Sequence, residues 1–267
     1  MDELRKGSEL AGTIQAGLLP EDPYIFQDFT CEGSHEACLN VGRDYYDFVP
    51  VSEHLLTVTI ADVTGHGYPS GLLMVACKFI LTTLIEAGIP FDERIDRINR
   101  ALVKHCDPTQ FITFFHAEID PHTHMMQYCN AGHNTPILVP ETDEIQTVLP
   151  QAPLGIVDIS YTIDTVPFDR KSKLVMYTDG ITEAMNPGGD LYEDERLLKL
   201  VRDQRTQSAE DLNITILEDV ARFSAGTEHL DDSTLSIVEL VRWELVYIMG
   251  NSHPLNTLPA PCSCGFR

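Results

Sequence analysis

The sequence predicts one α+β domain of layered architecture, and three observations lead there. Segments with strand character come in runs, helical segments come in pairs between the runs, and no regular strand–helix alternation joins them. No internal repeat of solenoid period is present. A chain of 267 residues has ample length to bury a core. The organisation expected is an N-terminal linker or dimerisation helix over 1–20, a domain over 21–241 and a loosely ordered tail over 242–267.

Residues 2–19 carry Leu4, Ala11, Ile14 and Leu18 in a heptad-like stripe that Gly7 interrupts, and Pro20 closes the segment. It reads as a short amphipathic helix in need of a partner. Gly12 and Gly17 keep a frayed terminal helix in competition with that reading. Residues 55–61 are apolar and β-branched, as in a buried strand, and run directly into Asp62. Gly65 and Gly67 permit a tight turn before a helix that opens near Ser70 and ends at Gly88. A second helix follows Pro90, with Ile95, Ile98 and Leu102 on one face and Asp92 and Glu93 in the first turn, where the helix dipole favours them.

Strands are expected at 111–119, 124–130, 136–139, 145–149 and 173–178. Helices follow at 193–204 and 208–224, the second opened by Ser208 and Asp211 as a capping box, before a last strand at 234–241. From Trp243 to Arg267, with Pro254, Pro259 and Pro261, clear patterning is lost.

Against 41 Asp and Glu stand 18 Lys and Arg, a net charge of −23, and such a field repels phosphate backbones and anionic lipid. Nucleic acid and membrane-surface partners are therefore not expected. No apolar run approaches the ~18 residues of a membrane span, and the start of the chain lacks a signal-peptide core. Seven cysteines without zinc-type spacing suit a reducing cytoplasm, and Cys262 with Cys264 makes only a weak metal pair.

Five short stretches bring chemistry to strand ends and turns: Val41-Gly42-Arg43-Asp44-Tyr45-Tyr46-Asp47-Phe48, Ala61-Asp62-Val63-Thr64-Gly65-His66-Gly67, Asn130-Ala131-Gly132-His133-Asn134, Tyr177-Thr178-Asp179-Gly180-Ile181-Thr182-Glu183 and Asp231-Asp232-Ser233-Thr234. Carboxylates on rigid strand ends suit hard divalent cations, which prefer oxygen ligands and retain several waters. Each stretch alone also reads as an ordinary turn or cap. In this order and spacing the five together resemble the SpoIIE/RsbU-type branch of the metal-dependent serine/threonine phosphatases, the PPM family, over roughly residues 10–240.

The resemblance implies an α-β-β-α fold of two packed antiparallel sheets flanked by helices. It implies two Mn²⁺ or Mg²⁺ ions and a metal-activated water that attacks phosphoserine or phosphothreonine. By position Asp62 resembles the bridging carboxylate, with the carbonyl of Val63 as an adjacent ligand. Asp179 and Asp231 resemble the carboxylates of the first metal, and Asp44 the acidic group supporting the second. Asp47 and Asp232 rank lower, as supporting or capping groups. His66 is a weaker candidate for a general acid, with a turn or cap role ahead of it; His133 reads as structural, and His122 and His124 as exposed.

One departure from the family pattern stands out. Arg43 occupies the place where relatives usually carry a second Gly, so either a left-handed backbone is strained there or the guanidinium reaches the substrate phosphate. The implied substrate is a STAS-type anti-anti-sigma factor in bacterial partner switching. An upstream sensor domain or protein and a homodimer through the N-terminal helix are the implied regulatory partners. Either the chain is a piece of a longer sensor protein or its signal comes from a separate one. The rival reading is a catalytically degenerate module that only binds a signalling partner; a nucleotide-binding regulator is weaker, because no Lys accompanies Gly65 and Gly67.

Overall fold

The computed structural model describes residues 2–241 except 66, 108, 142–144 and 228–230. In chain order the elements are α1 (Asp2–Ala16), β1 (Tyr24–Phe26), β2 (Phe29–Glu36), β3 (Asp44–Pro50), β4 (Leu56–Val63), α2 (Tyr68–Glu86), α3 (Phe91–His105), β5 (Ile112–Asp120) and β6 (Met125–Ala131). They continue with β7 (Ile137–Val139), β8 (Gln146–Thr147), β9 (Asp164–Pro167), β10 (Lys173–Tyr177), α4 (Asp179–Thr182), α5 (Asp194–Asp203), α6 (Ala209–Phe223) and β11 (Ser233–Leu240).

The strands form two sheets, ordered β1-β2-β11-β10-β7-β8 and β3-β4-β5-β6-β9, with antiparallel neighbours throughout. Their facing sides bury Phe29, Phe48, Val58, Ile60, Phe115, Met176 and Val238 in a shared core. Each such side chain, fully buried, contributes about 1.5–3 kcal/mol relative to exposure. Met74, Leu81, Ile95, Ile98 and Leu102 of α2 and α3 cover the outer face of the second sheet. Leu197, Val201, Leu212, Ile216 and Val220 of α5 and α6 cover that of the first. The result is the α-β-β-α layering that the resemblance implied.

Every helix and strand expected from pattern is present, with ends shifted by one to three residues. Ser208 caps α6 as expected: its hydroxyl accepts from the Asp211 amide at 3.1 Å and donates to the Asp211 carboxylate at 2.8 Å. The elements the pattern missed are β1, β2, β3, β9 and the single turn α4. β2 carries Gly33 and β3 carries two Asp among its aromatics, so neither has the clean alternation that marks a strand. The strand expected over 145–149 shrinks to two paired residues, because only Thr147 and Gln146 find partners on β7.

A second correction concerns α2. Its 19 residues have a mean hydropathy of 1.6 and are long and apolar enough to span a bilayer by composition, although no unbroken apolar run exists. In the fold α2 buries Met74, Cys77, Leu81 and Ile85 against β3, β4 and α3, while Leu72 and Phe79 stay exposed. A third concerns Arg43, whose backbone is not among the residues with positive φ, so the expected strain is absent. The C-terminal tail with Cys262 and Cys264, and the Leu4 side chain, lie outside the described residues.

Two fully buried imidazoles set an acid limit on stability. His116 stacks on Phe91 and shares a 2.8 Å hydrogen bond with Thr59, and His133 shares one of 2.9 Å with Thr113. Burial pushes each pKa down to about 3, with the Arg94 charge adding to the effect on His116. A folded-state pKa below the unfolded value near 6.5 gives stability that is present above pH ~6.5 and lost as pH falls toward the folded value. At pH 5 each ring should cost about 2 kcal/mol. His116→Asn, which keeps a polar partner for Thr59, should therefore lose about 2 kcal/mol less than the wild type between pH 7.5 and pH 5 in urea unfolding. An equal loss in both chains would show that His116 is not held neutral.

Candidate metal centre

The two sheets meet at one end in a cluster of carboxylates delivered by four different places in the chain. Asp44 opens β3 and lies directly opposite Asp62 of β4 in the antiparallel register. Asp179 begins α4 immediately after β10, and Asp231 and Asp232 precede β11, the neighbour of β10. Gly180 makes this junction feasible: a Cβ there would lie 2.0 Å from the Asp232 carbonyl oxygen, so no larger residue fits without moving the backbone.

Asp44 is the clasp between the sheets. Only 1 % exposed, it accepts at Oδ2 from the Thr178 hydroxyl at 2.8 Å and the Thr234 hydroxyl at 2.6 Å, both on the opposite sheet's side. Thr178 Oγ1 in turn accepts the Thr234 amide at 3.0 Å. His35 Nδ1 stands 2.9 Å from Thr234 Oγ1, and because that hydroxyl proton is committed to Asp44, the imidazole is the donor. The clasp uses one oxygen of Asp44 and leaves Oδ1 buried and without a partner.

Asp62 Oδ1 and Asp179 Oδ1 are likewise buried without a hydrogen-bond partner. Burial pushes Asp62 up to about 7, helped by repulsion from Asp179, Asp231 and Asp232 and opposed by Arg43. Asp44 is raised well above the usual carboxylate range by burial and then by Asp62, against the pull of the two threonine hydroxyls. Burial and Asp231 raise Asp179, with Arg43 again opposing. Orphaned oxygens whose charges destabilise one another are a donor set that needs cations, and all of them are hard oxygens. The residues present therefore fit a hard divalent cation such as Mg²⁺ or Mn²⁺, which Asp44, Asp62, Asp179 and Asp231 would hold.

Arg43 reaches into this cluster. Its Nε lies 3.5 Å from Asp62 Oδ1, too long for a hydrogen bond but close enough for an ion pair, and its terminal nitrogen is paired with Asp231. The Arg43 Nη1 also points at the Gly65 carbonyl, 3.4 Å away. Among the described residues no three His, Cys, Asp or Glu side chains converge as a ready-made metal cage.

The other acidic candidates do different work. Asp232 accepts the Cys38 amide at 2.7 Å and the Arg43 amide at 2.6 Å, so it pins the loop before β3. Asp47 stands three residues beyond Asp44 on β3 and therefore on the opposite face. There it accepts from the Tyr45 hydroxyl at 2.8 Å and pairs with Lys78 of α2, away from the cluster. Val63 ends β4, its amide 3.3 Å from the Arg43 carbonyl. His66 lies outside the described residues. The Asn130–Asn134 stretch is a turn closed by Asn130, whose side chain accepts the His133 amide at 2.8 Å, with Gly132 at φ 78. His122 and His124 are exposed on the hairpin.

Sequence reasoning gave no part to Gln15. Its side-chain amide donates to the Gly42 carbonyl at 2.7 Å and accepts the Gly42 amide at 2.8 Å, fastening α1 to the residue before Arg43. No periodicity marks a single polar residue on a helix of this kind. A pocket of about 220 Å³, lined by Arg43, Gly65, Asp231 and Asp232 among others, opens beside Arg43 at the Asp231 side of the cluster.

Residues 52–241 match the family model described as Stage II sporulation protein E (SpoIIE). The chain belongs to the SpoIIE family. It is 28 % identical over 240 residues to the phosphoserine phosphatase RsbU of Bacillus subtilis (strain 168), a match covering 88 % of this chain and 70 % of that one. The fold is that of the SiaA-PP2C domain of Pseudomonas aeruginosa, with a TM-score of 0.79 at 17 % identity over 89 % of this chain and 97 % of the other. The PP2C phosphatase domain of SpoIIE from Bacillus subtilis gives 0.68 at 20 % identity over 81 % and 64 %. The chain is thus a SpoIIE/RsbU-type protein serine/threonine phosphatase of the PPM class, a metal-dependent family.

The division of labour among the carboxylates is testable through stability. Asp232→Ala strips the half-buried Cys38 and Arg43 amides of their acceptor and should destabilise the fold by about 1–2 kcal/mol in urea. A loss within 0.5 kcal/mol, roughly the scatter of surface substitutions, would mean that the loop does not depend on Asp232.

Proposed function

We propose that the chain hydrolyses phosphoserine or phosphothreonine on a STAS-type anti-anti-sigma protein, using a pair of Mn²⁺ or Mg²⁺ ions held by Asp44, Asp62, Asp179 and Asp231. The observation that carries the metal reading is the set of three buried carboxylate oxygens without hydrogen-bond partners at one mouth of the two sheets. When bound, such a cation pair supplies neutralisation of the phosphoryl oxygens and an activated water for in-line attack.

The chain's own residues do the positioning. Thr178 and Thr234 fix Asp44 by two hydroxyl bonds, so that its free oxygen has one direction available. The β3–β4 register sets Asp62 opposite it, and α4 presents Asp179 at the helix's first residue. Rigid strand ends keep the oxygens from collapsing onto one another, which pre-organises them for charge arriving from outside. The STAS substrate is supported by the likeness to RsbU and by nothing within the site itself.

Regulation enters the same reading through α1. Leu10 and Ile14 are each 61 % exposed on a helix that Gln15 fastens to the Arg43 loop. A second copy of α1, or an upstream sensor, would cover that apolar stripe and bear on the loop. A reducing cytoplasm suits this role, since Cys77 and Cys129 are buried among apolar groups that push both thiols up to about 12.

Release of phosphate from p-nitrophenyl phosphate and from a phosphoserine STAS protein should require added Mn²⁺ or Mg²⁺ and vanish with EDTA. Asp62→Asn or Asp179→Asn should lower the rate by more than about 100-fold with melting behaviour intact. Undiminished turnover after exhaustive chelation, or wild-type kinetics in either variant, would overturn the assignment. For α1, replacing Leu10 and Ile14 together by Ser should abolish self-association in sedimentation; an unchanged sedimentation coefficient and an unchanged rate would remove the helix from the account.

A further inference from the structure

We infer that Arg43 is a tethered cation that competes with the divalent metals for the carboxylates and sets the metal concentration at which the enzyme switches on. The inference deepens the metal reading above and rests on it.

Three observations meet at this side chain. Its guanidinium lies between Asp62 and Asp231, two carboxylates from different sheets that are metal holders in that reading, and contacts both. The carboxylates it touches are not gathered into a ready-made cage, since no three candidate ligands converge among the described residues. The backbone of residue 43 is held independently of the side chain: its amide donates to Asp232, its carbonyl accepts from Val63, and Gln15 fixes the residue before it. The loop therefore keeps the backbone of residue 43 beside the cluster whether or not a metal arrives.

Arginine stays protonated at any working pH, so the positive charge is permanent. Divalent cations on Asp62 and Asp231 would need the same oxygens and would repel the guanidinium at close range. Loading must displace Arg43, and the pocket beside it, bounded by Val41, Gly65 and Gly67, offers room for the side chain to swing into. Until then the guanidinium supplies part of the charge compensation the cluster lacks. The price is weaker metal binding, while the metal-free fold gains.

The roles separate in one set of measurements on the full chain. Mn²⁺ affinity by calorimetry and melting temperature with and without saturating Mn²⁺ are compared for the wild type, Arg43→Gln and Arg43→Lys. Arg43→Gln should bind Mn²⁺ about tenfold tighter or better, and Arg43→Lys, which keeps the charge without the planar fork, should fall between. Without metal Arg43→Gln should melt below the wild type, and with saturating Mn²⁺ it should match or exceed it. Equal or weaker Mn²⁺ binding by Arg43→Gln overturns the competition and leaves the metal reading standing. A melting deficit that persists under saturating metal also overturns it, by making Arg43 a structural strut. Absence of Mn²⁺ binding in all three chains overturns both readings together.

Discussion

Negative charge gathered at one mouth of the two sheets is the constraint on which the rest of this structure depends. Asp44, Asp62, Asp179 and Asp231 come from four places in the chain, and burial with mutual repulsion raises three of them above ordinary carboxylate behaviour. An arrangement that unfavourable persists only when the scaffold fixes it and a cation offsets it. The scaffold's part is visible in Asp44, which ties the sheets through Thr178 and Thr234 while presenting its other oxygen unpaired. Structural and chemical roles thus divide within a single carboxylate.

The same constraint explains why the loop before β3 is so heavily fastened. Asp232 takes two of its amides, and Gln15 takes both backbone groups of Gly42. Without these bonds Arg43 would lose much of its hold beside the carboxylates, whereas Asp44 keeps its register opposite Asp62 and its two threonine bonds. Fastening through Gln15 also makes α1 part of the site's support. Gly12 belongs to this arrangement: a Cβ there would sit 1.9 Å from the Asn40 carbonyl oxygen, so the close seat of α1 on the loop requires glycine. A change in how α1 is held has a short covalent and hydrogen-bonded route to Arg43.

Most of the fold was legible in the sequence where burial is regular. β4, buried at every position, and α3, with its one-sided stripe, announce themselves by pattern. β2 and β3 did not, because their residues answer to the site rather than to the pleat: Gly33 makes room for the Tyr46 ring, and Asp44 and Asp47 face opposite sides for different reasons. Local rules fail where function imposes its own demands. In the site, the ordered motifs picked out Asp44, Asp62, Asp179 and Asp231, which the fold brings to the same end of the two sheets without gathering them into a finished cage. What motif reading could not supply was the partner geometry: that Asp47 turns away to Lys78, that Asp232 serves backbone amides, and that Arg43 sits unstrained among the carboxylates. Gly12 read as a weakness in α1 because sequence shows the loss of helix propensity and hides the neighbour that demands it.

The central claim is that the carboxylate cluster is built for divalent cations and is held meanwhile by one arginine. A crystal soaked in Mn²⁺ and measured at the manganese absorption edge tests it most directly. The account predicts anomalous density for two ions among Asp44, Asp62, Asp179 and Asp231, with the Arg43 guanidinium moved off Asp231. Full Mn²⁺ exposure that leaves no anomalous density in the cluster and the guanidinium still paired to Asp231 would contradict it.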